Sequence, residues 1–156
     1  DAKVRRWLPP ITLVYPCLPV ADFPAAQDRL ETACRGIPAF EVELAEFRTF
    51  RHRRGKHTIW LAPNPESELI QLRTVVWRAA VGEEPAGSRP PRFQPHLSVG
   101  QVRGKDEMLR LVAELQAGWQ PVRFVVTGIS LIWRSEPPDD VFRVAATVSL
   151  GSGSPG

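Results

Sequence analysis

Proline and glycine set the first limit on this chain, with 16 prolines and 11 glycines spread through its 156 residues. Proline fixes φ and has no N–H, so it breaks helix interiors and central strands. Such punctuation favours many short elements over a helical bundle, and the composition excludes a coiled coil. The charged fraction of 24% and apolar fraction of 43% fit one globular domain with a sizeable core. We expect a single domain over residues 1–150 and a flexible tail over 151–156, Gly-Ser-Gly-Ser-Pro-Gly. That linker-like tail, and a start at Asp1 rather than Met, predict a piece of a longer chain with other domains.

No apolar run approaches the roughly 20 residues that span a bilayer. Asp1-Ala2-Lys3-Val4-Arg5-Arg6 lacks the apolar core of a signal peptide. No membrane association is expected. Cys17 and Cys34 do not form a C-x-x-C pair, and three histidines cannot complete a zinc-finger spacing with them. They read as reduced core residues rather than a disulfide, which points to cytoplasm or nucleus. No metal site is predicted.

Periodicity orders the elements. Residues 11–15 are β-rich between prolines and predict a short strand. Asp22 predicts an N-cap with Pro24 in the first turn, and Phe23, Ala26, Leu30, Ala33 and Cys34 follow at helical spacing until Gly36. Residues 40–50 and 58–61 predict a hairpin across Arg53-Arg54-Gly55-Lys56. Asn64 predicts the cap of a second helix with Pro65 at its first position, a buried stripe of Leu69, Leu72, Val76, Ala79 and Ala80, and a stop at Gly82. A loop over 83–91 leads to a strand over 93–102 and a helix from Asp106 with Met108, Leu111, Val112 and Leu115 inward. Residues 122–133 and 141–150 predict a closing hairpin across 137–140. The sum is an α+β fold in two similar halves, with mainly antiparallel sheets.

The net charge is only +3, yet Arg48, Arg51, Arg53, Arg54 and Lys56 fall together with His52 and His57 beside them. Such a cluster is the footprint of a polyanion site, or simply a solvated hairpin tip. His96-Leu97-Ser98-Val99 reads as strand. Alternation then puts His96 and Ser98 on one face and turns Leu97 and Val99 into the core. An imidazole can move a proton, and a hydroxyl beside it can hold a phosphate oxygen. On those residues alone, a structural histidine bonded to a backbone carbonyl is the favoured reading. Trp60, Trp77, Trp119 and Trp133 read as core, and Trp7 and Tyr15 as packing residues.

Two segments together carry a resemblance. Arg6-Trp7-Leu8-Pro9-Pro10-Ile11-Thr12-Leu13-Val14-Tyr15-Pro16 resembles the first signature of the 2H phosphoesterase superfamily, the relatives of 2′-5′ RNA ligase and cyclic nucleotide phosphodiesterase. Phe93-Gln94-Pro95-His96-Leu97-Ser98-Val99-Gly100-Gln101 resembles the second. The resemblance implies a bilobal fold with a central cleft, in which each signature supplies one His and one hydroxyl. It implies acid/base catalysis on RNA ends or cyclic or phosphorylated nucleotides, without metal or cofactor. Carried over residue by residue, the catalytic set is His96, Ser98 and Thr12, while the first His is replaced by Pro10. Arg51, Arg53, His52 and His57 are the candidate substrate contacts. His57-Thr58 is not a substitute dyad, because Thr58 faces the side opposite His57. Three functions follow as expectations: a phosphodiesterase weakened by Pro10, an RNA- or phosphate-binding module without turnover, and a pseudoenzyme scaffold.

Overall fold

Helical spacing in the first half produces α1, Phe23–Cys34, which buries Phe23, Ala26, Leu30 and Cys34 along one face. The computed structural model of the chain describes residues 10–15, 18–82, 92–135 and 141–151. The other elements are β1, Phe40–Arg51; β2, Lys56–Asn64; α2, Glu66–Val81; β3, Leu97–Arg103; α3, Lys105–Gly118; β4, Val122–Val126; β5, Gly128–Trp133; and β6, Arg143–Ser149. Arg6–Pro9, Pro16, Cys17 and the expected loop at 83–91 lie outside the described residues. So do the turn at 136–140 and the tail from 152 onward.

The architecture is α+β with two antiparallel sheets, as expected. The larger has the order β3-β2-β1-β4, and the smaller is the hairpin β5-β6. Each has its own core. Val42, Leu44, Phe47, Ile59 and Leu61 form one on the α3 side of the large sheet, with Leu97, Val102, Leu111 and Leu115 packed against them. Phe23, Leu30, Cys34, Leu72, Val76, Leu131 and Val148 form the other, between α1, α2 and the small sheet. Burial pushes the Cys34 thiol above its ordinary range, as fits a core residue.

Several expectations are corrected. Residues 11–15 form no strand. Ile11 packs into the large-sheet core, whereas Leu13 and Val14 pack into the other. Prolines on both sides withhold ladder donors, and the segment serves as a tie between two cores. Tyr15 is 70% exposed rather than packed. Asp22 occupies the N-cap but makes no side-chain cap bond, because its backbone already turns in the 3₁₀ turn Val20–Asp22. Asn64 ends β2 instead of capping α2; the residue before a proline is held extended, so the helix waits until Glu66. Residues 122–133 divide at Thr127 into strands belonging to different sheets. In α2, Ala79 is only half-buried, and Arg73 is the buried polar member of the stripe. Its guanidinium lies 4.7 Å over the Trp77 ring and 5.6 Å over Phe93.

Two β-bulges set which side chains share a face. In β1 the register with β2 shifts between Leu44 and Glu46. A bulge frees backbone groups from the ladder, and α3 satisfies them here. Gln116 Oε1 accepts from the Phe47 N–H at 2.9 Å, and Gln116 Nε2 donates to the Ala45 carbonyl at 2.9 Å. Trp119 Nε1 donates to the Leu44 carbonyl at 2.8 Å. Gln116→Ala is therefore expected to destabilise the chain by about 1–2 kcal/mol, the cost of leaving such groups unmet. Urea denaturation reads this as a lower midpoint at unchanged slope; an unshifted midpoint would show that solvent replaces the glutamine fully.

The second bulge falls in β3, between its pairings with Ile59 and Trp60, so Gly100 opposes Ile59 while Ser98 opposes Trp60. Val99 is the inserted residue and is 45% exposed, not in the core as alternation alone predicts. The insertion keeps Ser98 and Gln101 on one face.

Candidate functional site

The face of the large sheet away from α3 is built in rows across three strands. Arg48 of β1, Trp60 of β2 and Ser98 of β3 are register partners. Phe50, Thr58 and Gln101 form the next row. His52, Lys56 and Arg103 form the last; the His52 N–H donates to the Lys56 carbonyl at 2.7 Å, and Lys56 pairs with Arg103. Side-chain contacts establish the shared face. Phe50 stacks on Trp60 at 4.6 Å, Arg48 lies 5.9 Å from the Trp60 ring, and Gln101 Nε2 donates to Thr58 Oγ1 at 3.4 Å. His52 Nε2 lies 2.7 Å from that same hydroxyl.

His96 immediately precedes β3 and stands beside the first row. Its ring meets Phe50 edge-on at 5.1 Å and Trp60 at 6.0 Å. Nδ1 lies 2.7 Å from the Gln94 carbonyl oxygen. A carbonyl only accepts, so Nδ1 carries a proton and the neutral ring keeps its lone pair on Nε2. The ring is thus fixed in tautomer and orientation while remaining half-exposed. Ser98 is exposed on the same strand. An imidazole with one nitrogen anchored and the other free can accept or deliver a proton at a bound ligand.

Thr12 is exposed on the tie between the two cores, and no hydrogen bond joins it to His96 or Ser98. Pro10, on the same segment, is half-buried. His52 lies on the site face, and Arg53 is exposed at the hairpin tip. Arg51 and His57 do not join them. They pair with each other one residue off the rows, so alternation turns both to the α3 side. His57 is only 7% exposed there, which corrects its expected place among the polyanion contacts. Thr58 and His57 do face opposite sides.

Sequence reasoning placed Arg48 only in the basic cluster, missed Phe50 and Gln101 as site neighbours, and read Trp60 only as core. Trp60 is indeed 3% exposed, but its indole N–H has no hydrogen-bond partner among the described residues. The alternation Arg48, Phe50, His52 was a usable signal; its alignment with Ser98 depends on bulges that one strand does not announce. A separate cavity of about 290 Å³ lies along the same sheet near Glu43, Glu46, Glu66 and Gln94. Three carboxylates and Arg48 line it, a mixed lining unlike the His96–Ser98 face. Arg48 is held there by Glu46 at 3.2 Å.

A family model described as the 2′-5′ RNA ligase superfamily matches residues 1–138. The chain belongs to this superfamily. Both signature-like segments of this superfamily member fall inside the matched range. Among solved structures, it is similar to TT0787 of Thermus thermophilus, at 19% identity and a TM-score of 0.56, covering 86% of this chain and 73% of that one. That likeness is one of fold. No curated protein sequence matches. Within the described residues no helix is long and apolar enough to cross a membrane.

Proposed function

We propose that this superfamily member recognises terminal or cyclic phosphates of RNA or nucleotides and opens 2′,3′-cyclic phosphates or 2′-5′ linkages slowly, with His96 as its one acid/base group. The observation that carries the reading is the anchored His96 ring beside Ser98 on an open face. Ser98 and Thr12 would supply donors to the phosphate oxygens, and His52 would contact the strand beyond it. When water opens a cyclic phosphate, a new P–O bond forms, the water loses a proton, and the departing ribose oxygen gains one. His96 Nε2 can take the first proton or, once protonated, give the second. One imidazole cannot do both in one step, so the other transfer falls to solvent. The absent group reduces the rate by about 10²–10⁴.

A second reading, binding without turnover, is favoured by Pro10, which has no titratable group at the position where the resemblance places the other His. An RNA carrying a 2′,3′-cyclic end separates the two readings. We expect the cyclic end to convert slowly to a linear monophosphate, and His96→Ala to abolish the conversion. Binding with no product selects the second reading, and neither binding nor product overturns both. His96→Ala retaining the parent rate removes His96 from the chemistry.

A further inference from the structure

Beside His52, the last row of the site face carries two cations that the proposed chemistry does not use, and they belong to a cationic end of the sheet. Lys56 and Arg103 stand directly opposite each other across β2 and β3. Like charges so placed repel, and a chain under no other demand avoids them. Arg53 and Arg54 form the adjoining turn, and Lys105 opens α3. The Gly104 N–H donates to the Gly55 carbonyl at 2.8 Å, tying this turn to the end of β3 and drawing the charges together. None of these five cations makes an ion pair among the described residues, where Arg48, Arg110 and Arg123 all do. Asp106 and Glu107 follow Lys105, but Glu107 is engaged by Arg110.

Arg54 adds a second sign. It takes φ 60° and ψ 32°, the left-handed region that favours glycine. Here that turn position carries a guanidinium instead.

We propose that this end is a docking surface for the phosphodiester backbone of a single-stranded RNA whose terminal phosphate lies at His96 and Ser98. The inference rests on the proposed function for the location of that end. Four features favour RNA over other polyanions. The cations continue the Ser98, Gln101, Arg103 line of one strand, so site and patch form a single track. Across the bulge, Ser98 to Arg103 matches the four steps from Trp60 to Lys56 on β2, roughly 13 Å at about 3.3 Å per residue, too far for one nucleotide but within reach of a short oligomer. The opposite end of the same face carries Glu43, Glu46 and Glu66, two of them paired with Arg123 and Arg48, so among the described residues of this face unpaired cations gather only at the end with Lys56 and Arg103. Phe50 and the His52–Thr58–Gln101 network lie along the way, giving an aromatic surface and polar groups between the two phosphate positions.

The test is fluorescence anisotropy of the full chain with a labelled single-stranded RNA of twelve nucleotides, across a salt series. Single-stranded contacts give a slope of about −0.7 per phosphate neutralised. Lys56→Ser with Arg103→Ser is expected to weaken binding at least tenfold at low salt and to flatten the slope by about 1.4. Arg54→Gly guards against a folding defect. It is expected to melt no lower than the parent while flattening the slope by about 0.7. Unchanged slope and affinity within twofold in both variants would overturn the proposal. So would tighter binding of a poly-glutamate peptide of equal charge, which would reassign the patch to an acidic protein partner. Because binding rather than product is read, loss of the catalytic reading alone leaves this outcome intact. Conversely, turnover of a cyclic mononucleotide with no gain in affinity for the longer RNA defeats the docking surface but not the chemistry.

Discussion

Pro10→His is expected to raise hydrolysis of a 2′,3′-cyclic phosphate by about 10²–10⁴ over the unmodified chain, the range a positioned acid/base group contributes. The expectation follows from what each half of the site now offers. His96 has its Nδ1 proton committed to the Gln94 carbonyl and its Nε2 free. On the proposed function it serves one of the two proton transfers that cyclic-phosphate opening requires. The segment carrying Pro10 runs from the core of the large sheet, where Ile11 packs, to the second core, where Leu13 and Val14 pack. Position 10 stands next to Ile11 on the large-sheet side of that tie, half-buried and two residues from the exposed Thr12. On the proposed function an imidazole there supplies the second transfer. Pro10→Ala is the control for relief of backbone constraint and should give no gain. In the Pro10→His background, His96→Ala should remove the whole gain, because the two rings act in one reaction. A Pro10→His rate within twofold of the parent would show that position 10 does not face the phosphate.

How much of this was legible in the sequence depends on whether a feature is local. The helical stripes of Phe23, Ala26, Leu30 and Cys34, and of Leu69, Leu72, Val76 and Ala80, were readable because burial of one helix face imposes its own period. The hairpin over β1 and β2 was readable from alternation and from Gly55. The pairing of His96 with Ser98 followed from their two-residue spacing. What depended on two strands at once was hidden. Alternation sent Val99 inward, and only the register opposite Ile59 and Trp60 shows it to be the inserted residue of a bulge. The site neighbours Phe50 and Trp60 are set by the other bulge, whose freed groups are met by Gln116 and Trp119, far along the chain from β1. The strand expected at 11–15 failed for a related reason. Its apolar residues are real core residues, but they serve two different cores, and a β-rich composition does not say how many partners it has.

Gly151→Ala is expected to cost about 3 kcal/mol, at the upper part of what overpacking does. The sequence reads the stretch from Gly151 as a tail, yet this residue is a clasp. Its N–H donates to the Cys34 carbonyl at 3.0 Å and to the Ile37 carbonyl at 2.8 Å. It also forms a parallel bridge with Pro38. The carbonyls at the end of α1 lack partners within the helix, so this contact closes that end while pinning the last core residue, Leu150, at 6% exposure. A Cβ on residue 151 would come within 2.2 Å of the Arg35 carbonyl oxygen and 3.3 Å of that of Ile37. Both are backbone atoms, one at the helix end, so neither can turn aside as a flexible side chain would. The chain must withdraw, and with it go both hydrogen bonds and the packing of Leu150 against the core of α1, α2 and the small sheet. For a domain of this size that loss corresponds to a fall of about 6–12 °C in Tm. Calorimetry of the variant beside Gly118→Ala, where a Cβ meets nothing within 4 Å, separates the clasp from a general effect of removing glycine. Equal melting temperatures for Gly151→Ala and the parent would mean that the C-terminal end does not hold α1.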